Sequence, residues 1–176
     1  MEGSDACRGV EMFNEIRGIC RHCSSEVSVL VNGGEVLDVC AGCGEKPFEI
    51  IPYAGLVYVV NNPHQSGVKI GMTTKSIYER LKGLNATGVP GAFEVVALFP
   101  SAKPKHEEKK IHQKLKRWHL AKEHFELEPV EAALKCFREL NRRKPVFFSD
   151  AYRTEFELKL EIAKKTMQLR LNGKSS

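Results

Sequence analysis

The chain has 176 residues, 42% hydrophobic and 28% charged, the balance of a globular protein able to bury a core. That composition excludes a wholly disordered chain. Apolar runs as short as Leu56–Val60 fall far below the roughly 20 residues of a membrane-spanning helix. No basic start followed by an apolar stretch marks a secretory signal, so the expected setting is cytoplasmic (intracellular).

The net charge of +5 is unevenly spread: residues 1–54 carry 4 Lys/Arg against 9 Asp/Glu, residues 55–127 carry 12 against 6, and residues 128–176 carry 11 against 7. An acidic head and a basic remainder have different electrostatic tasks. The basic middle suits a polyanionic partner, with nucleic acid first among them, although a lysine-rich helix face is also what solvent alone selects.

Six cysteines stand at 7, 20, 23, 40, 43 and 136. Cys20-Arg-His-Cys23 and Cys40-Ala-Gly-Cys43 are two CxxC knuckles separated by sixteen residues, the spacing of a zinc site. Two intervening residues turn both thiolates toward one point, and two such knuckles supply four soft ligands in a tetrahedron. Between them, Val27–Val31 and Val36–Val39 flank Asn32-Gly33-Gly34, which reads as a hairpin. A hairpin joining two knuckles is a zinc ribbon. Gly18 and Gly44 flank the knuckles where tight turns need positive φ. Disulfides or free thiols are the alternative, disfavoured in a reducing compartment. Four thiolates close the coordination sphere, so the expected zinc is structural; His22 is a possible substitute ligand. Cys7 is expected as a free thiol near the terminus and Cys136 as core packing. The ribbon also offers a surface for a protein partner.

From Gly55 the pattern changes. Leu56–Val60 is a buried-strand run, Asn61–Gly67 a polar loop, and Val68–Gly71 a second strand, together a hairpin. Thr74 or Ser76 is a candidate N-cap for a helix over Ile77–Leu84. Asn85–Gly91 is a turn-rich loop, and Phe93–Phe99 a third strand. His106–Trp118 reads as a charged amphipathic helix with Ile111, Leu115 and Trp118 on its apolar side. Glu123–Leu127 is a short extended piece before a helix over Val130–Leu140. After Asn141–Pro145, residues 152–171 form a terminal helix with Tyr152, Phe156, Leu160, Ala163, Met167 and Leu171 at spacings of three and four. That stripe suits packing on its own domain, and such a helix can also dimerise or lie along DNA.

The order hairpin, helix, strand, helix, with Leu56-Val57-Tyr58, Lys69-Ile70-Gly71, Arg80 and Glu108 in place, resembles the GIY-YIG nuclease superfamily over about residues 55–127. It lies closest to the phage-associated DNA-binding branch, in which the second motif often reads Lys-Ile-Gly and the segment closes on an ending like Glu123–Leu127. The resemblance implies an α+β fold: a small three-stranded antiparallel sheet flanked by helices, here preceded by the zinc ribbon. The domains are then 1–54, a ribbon-like head; 55–140, the nuclease-like DNA-binding domain; and 141–176, a helical extension.

The resemblance further implies hydrolysis of DNA phosphodiesters with one divalent metal. Tyr58 would position or deprotonate the attacking water, Arg80 would hold the scissile phosphate, and Glu108 would bind Mg²⁺ or Mn²⁺. The chemistry is reasonable on its own terms, because charge grows on the phosphoryl oxygens and a planar cation with a metal stabilises it. Two positions depart from the pattern: Leu56 stands where the first motif has glycine, and Lys69 where the second has tyrosine. His112, four residues after Glu108 on the same helix face, is a candidate replacement base. Glu107 competes with Glu108 for the metal. A module of the same fold that binds DNA without cutting it is the second reading, and an interaction adaptor the third. Phosphate contacts alone do not separate DNA from RNA, and the sequence leaves oligomeric state open.

Overall fold

A computed structural model describes residues 13–86 and 90–172; Cys7 lies outside the described residues. The chain divides into two compact units, one up to Pro52 and one from Tyr53 onward. No helix among the described residues is long and apolar enough to cross a membrane.

The first unit is a three-stranded antiparallel sheet in the order β1-β2-β3. Its strands are β1 (Phe13–Ile19), β2 (Glu26–Asn32) and β3 (Glu35–Val36). The expected hairpin is present: β2 turns at Gly33, whose φ is +58°, and Asn32 pairs with Glu35. Its second strand is shorter than the expected Val36–Val39, because the Asp38 carboxylate accepts the Leu30 N–H at 2.8 Å where a backbone rung would continue. Gly18 is also placed differently from expectation. It sits within β1, opposite Val27, and a Cβ there would lie 3.1 Å from the Phe48 ring, so it is small to admit an aromatic ring. Among the described residues the apolar core is Val29, Val31 and Val36, with Val27, Phe48 and Ile50 against them, too little to hold such a unit alone.

The second unit is an α+β domain built on a five-stranded antiparallel sheet, ordered β6-β4-β5-β8-β7. The expected three strands form its body: β4 (Gly55–Asn61), β5 (Val68–Thr73) and β6 (Glu94–Ser101). Two short strands, β7 (His119–Ala121) and β8 (His124–Phe125), extend the β5 side. β4 lies between β5 and β6 and is covered on both faces. Side chains alternate along a strand, so Val57 and Val59 join one core and Tyr58 and Val60 the other.

The larger core packs α2 (Pro104–Lys114), α3 (Pro129–Glu139) and α4 (Asp150–Asn172), and includes Phe99, Ile111, Phe125, Cys136 and Phe156. The smaller core packs α1 (Ile77–Leu84) through Ile77, Leu81 and Leu84. The expected continuous helix over His106–Trp118 instead starts earlier, with Pro104 at its first turn, and breaks at Leu115 into a 3-10 turn, Lys116–Trp118. That turn lays Trp118 between two cations, Arg117 and Lys135, at 3.7 and 3.9 Å from the ring centroid.

Candidate active site and metal centre

The two knuckles of the first unit repeat one backbone pattern twenty residues apart. Cys20 N–H bonds Ser25 O and Cys40 N–H bonds Glu45 O; Ser24 N–H returns to Cys20 O and Gly44 N–H to Cys40 O. Ser24 and Gly44 both take the left-handed conformation, at φ 62° and 76°. The four sulfurs lie within 4.8 Å of one another, with Cys20 Sγ 3.8 Å from Cys43 Sγ and Cys23 Sγ 3.6 Å from Cys40 Sγ. Sulfurs bound at about 2.3 Å to a tetrahedral zinc stand about 3.8 Å apart, so the cluster has the dimensions of that site.

Backbone N–H groups of His22 and Gly42 point at Cys20 Sγ and Cys40 Sγ at 3.4 and 3.3 Å. A Cβ at Gly42 would meet Ser25 Oγ at 2.9 Å and crowd two of the sulfurs. Hydrogen bonds from Ser25 bring the Cys23 thiol down to about 6. Cys43 is pushed up to about 12: the Glu45 backbone opposes this, but burial and the three neighbouring sulfurs prevail. Four sulfurs this close can all ionise only around a cation. His22 is outside the cluster, its Nε2 accepting from Arg21 Nε at 3.1 Å. The arrangement is consistent with a structural zinc in a ribbon.

In the second unit, Tyr58 on β4 pairs across the sheet with Gly71 on β5. The pairing is also steric: a Cβ at Gly71 would fall 2.4 Å from Tyr58 Oη. After β5, Thr73 Oγ1 accepts the Lys75 N–H at 3.0 Å and turns the chain. Ser76 then caps α1 by accepting the Glu79 N–H at 3.2 Å. That start sets the rotation of α1 so that Arg80 Nε donates to Tyr58 Oη at 2.8 Å.

Arg80, Glu108 and Glu123 line one cleft of about 490 Å³, together with Met72–Lys75, Glu79 and Gly83. Lys69 is buried at 8% exposure, and its Nζ bonds Glu123 Oε2. Arg80 Nη2 stands 4.0 Å from the same oxygen. Tyr58, Arg80, Lys69 and Glu108 are thus brought together. His112 is one step removed: its Nε2 is 2.9 Å from Ile70 O, so that nitrogen carries the proton and donates it, and its ring lies against Phe125.

Glu107 and Glu108 part company. Glu107 receives a bidentate bond from Arg143 at 2.7 and 2.8 Å and one from Ser101 Oγ at 2.5 Å, so it ties α2 to the end of β6. Glu108 faces the cleft and, among the described residues, makes no ion pair. Its pKa is raised, first by burial and then by the Glu123 carboxylate, against the pull of His112, the Met72 N–H and Lys69. Glu123 goes the other way: burial raises it, but the bond to Lys69 and the charges of Lys69, Arg80 and His112 hold it below the usual carboxylate range. Tyr58 is raised by burial against the hydrogen bond and charge of Arg80, which makes it a neutral phenol.

Glu123 is the site residue that sequence reasoning missed. Its segment was visible as a family-like ending, but the pairing with Lys69 spans 54 positions, and only the β5–β8 register, Lys69 opposite His124, delivers it.

An α+β domain whose central hairpin sets a tyrosine against an arginine and opposes them with a glutamate on a charged helix has the form of a GIY-YIG-like domain. Residues 55–141 match the T5orf172 domain, a GIY-YIG-related family. No curated protein and no solved structure matches the chain.

Proposed function

We propose that this protein is a metal-dependent DNA endonuclease of GIY-YIG type, hydrolysing phosphodiester bonds. The observation that carries the reading is Arg80, held by Tyr58 Oη at 2.8 Å, lining one cleft with Glu108, a carboxylate that makes no ion pair among the described residues. Hydrolysis adds the oxygen of water to phosphorus, breaks one P–O ester bond and leaves a phosphate monoester and an alcohol, the leaving oxygen taking a proton. Arg80 uses Nε on Tyr58, which leaves its Nη groups for the non-bridging oxygens on which charge accumulates. Tyr58, a buried neutral phenol, acts by holding Arg80 in place at the cleft through the 2.8 Å hydrogen bond. Glu108 fits a divalent ion, because it is a half-buried carboxylate without a cation partner whose ionised form burial and Glu123 disfavour. Bound there, Mg²⁺ or Mn²⁺ would supply charge neutralisation at the phosphate. Exposed Lys105, Lys109, Lys114 and Lys116 supply backbone contacts that hold DNA without reading sequence.

The Lys69–Glu123 ion pair favours the second reading, a DNA-binding module that cuts weakly or not at all, since it occupies the place of the second motif's tyrosine. Zinc-loaded protein incubated with supercoiled plasmid and Mg²⁺ or Mn²⁺ separates the two. Nicking that requires the metal and falls about 100-fold or more in Glu108→Ala and Arg80→Ala supports the nuclease. Glu107→Ala serves as the contrast, expected to lower stability rather than to abolish the metal requirement. Salt-sensitive retardation of DNA without nicking by the wild-type protein means the binding module.

A further inference from the structure

The helix α4 has two apolar faces, and only one is used by its own domain. Tyr152, Phe156 and Leu160 pack on the larger core. Two positions on from Phe156, about 200° around the helix, begins a second stripe whose members are all exposed: Leu158 and Ile162 at 55% and Leu169 at 73%. With Ala151, Glu155 and Lys165, also exposed, this stripe runs at spacings of four, three, four, three, four, the period of a coiled-coil seam. It lies beyond the residues that match the T5orf172 domain.

We propose that α4 pairs with α4 of a second copy of this chain, antiparallel about a two-fold axis beside Leu160. In such a pair each residue faces the one equally far on the other side of position 160. Leu158 then faces the second copy's Ile162, and Ala151 its Leu169. Glu155 faces Lys165 within the seam. Every apolar seam position meets an apolar one, and the two charged seam positions meet each other. The parallel alignment instead sets Glu155 against Glu155 and Lys165 against Lys165, so the charges select the antiparallel form. Charges of both signs also argue against a polyanion on this face, since α4 carries five Lys/Arg and four Asp/Glu. The helix is about 35 Å long, room for three heptads. Within one copy, Glu155 and Glu161 hold Lys159 and Lys165 at 2.6 and 2.7 Å, exposed pairs worth little and free to exchange partners.

Sedimentation of the full-length, zinc-loaded protein over a wide concentration range tests this. A reversible dimer is expected. Glu155→Lys and Lys165→Glu, each alone, set like charges across the seam and should weaken it about tenfold or more, and Ile162→Glu should do the same through the apolar contact. The double swap, Glu155→Lys with Lys165→Glu, should restore the dimer. That swap worsens the charge pairs within one helix, so recovery cannot come from helix stability, which circular dichroism follows in parallel. A monomer at every concentration overturns the proposal. So do single variants that dimerise like the wild type, or a double swap that stays as weak as the singles. A monomer whose α4 variants lose DNA binding assigns the stripe to nucleic acid and overturns it as well.

Discussion

Replacing Gly71 with alanine probes the steric fit on which the candidate site rests. The added Cβ would lie 2.4 Å from Tyr58 Oη and 2.7 Å from Cζ, where ordinary contact begins near 3.4 Å, so about 1 Å of separation has to be found. Tyr58 has nowhere to go: it is 0% exposed and packed among Val60, Ile77, Val95 and Leu98. Overpacking of this kind costs about 1–3 kcal/mol, and loss of the Arg80–Tyr58 hydrogen bond adds about 1.5 kcal/mol. A destabilisation of about 3 kcal/mol lowers the midpoint of a domain of this size by about 10 °C. The single tryptophan, Trp118, reports on the second unit alone, so its fluorescence during thermal and urea unfolding isolates the effect. Gly83→Ala is the contrast on the same cleft: nothing lies within 4 Å of its added Cβ, and an alanine in the last turn of α1 should stabilise by about 0.4–1 kcal/mol through the unfolded chain. Equal midpoints for Gly71→Ala and wild type, or equal shifts in both variants, would refute the claim that Gly71 is held by Tyr58.

Two further outcomes are expected. Chelation of zinc, or serine at Cys20 and Cys40, should unfold the first unit, because its core is three valines and their neighbours and thiolates at this spacing repel without a cation; far-ultraviolet circular dichroism should lose the strand signal while Trp118 emission keeps its native maximum. Tyr152 anchors the start of α4 by donating its hydroxyl to Glu94, and burial with that carboxylate pushes its pKa up to about 12. A raised folded pKa means stability that is full below the ordinary tyrosine value of about 10 and lost as pH climbs from there toward 12. Tyr152→Phe should flatten that alkaline decline relative to wild type in urea midpoints measured across the interval, and an unchanged slope would mean that the contact does not govern it.

What the sequence disclosed follows from how locally each feature is encoded. Leu56–Val60, Val68–Gly71 and Phe93–Phe99 read as strands because they are β-branched, apolar and bounded by turn residues, and the structure pairs all three. The Ser76 cap was legible for the same reason, a hydroxyl three residues before the N–H it accepts. β1 was not legible: Phe13–Ile19 is almost wholly exposed, so burial imposes no alternation on it, and its strand character comes from pairing with β2. β7 and β8 have three and two residues, shorter than any periodicity can register. At the candidate site, motif order singles out Tyr58, Arg80 and Glu108, but the separation of Glu107 from Glu108 depends on Arg143, thirty-six positions from Glu107, and no local pattern carries that.

The exchange of tyrosine for Lys69 reshapes the electrostatics of the cleft rather than merely removing a phenol. A buried ammonium is costly without a partner, and Glu123 supplies one from the turn between β7 and β8. Glu123 is thereby fixed as a carboxylate, and its charge bears on Glu108, which also loses solvent to burial and is left above the usual range. The two carboxylates are split because only one has the ammonium. In a GIY-YIG-like cleft this leaves Glu108 as the group whose ionisation a divalent cation would relieve, and Arg80 as the cation still open to a phosphate. On the proposed nuclease reading, Lys69 thus stands in place of a candidate acid or base, while Arg80 and Glu108 keep the charges that a metal and a phosphodiester would complete.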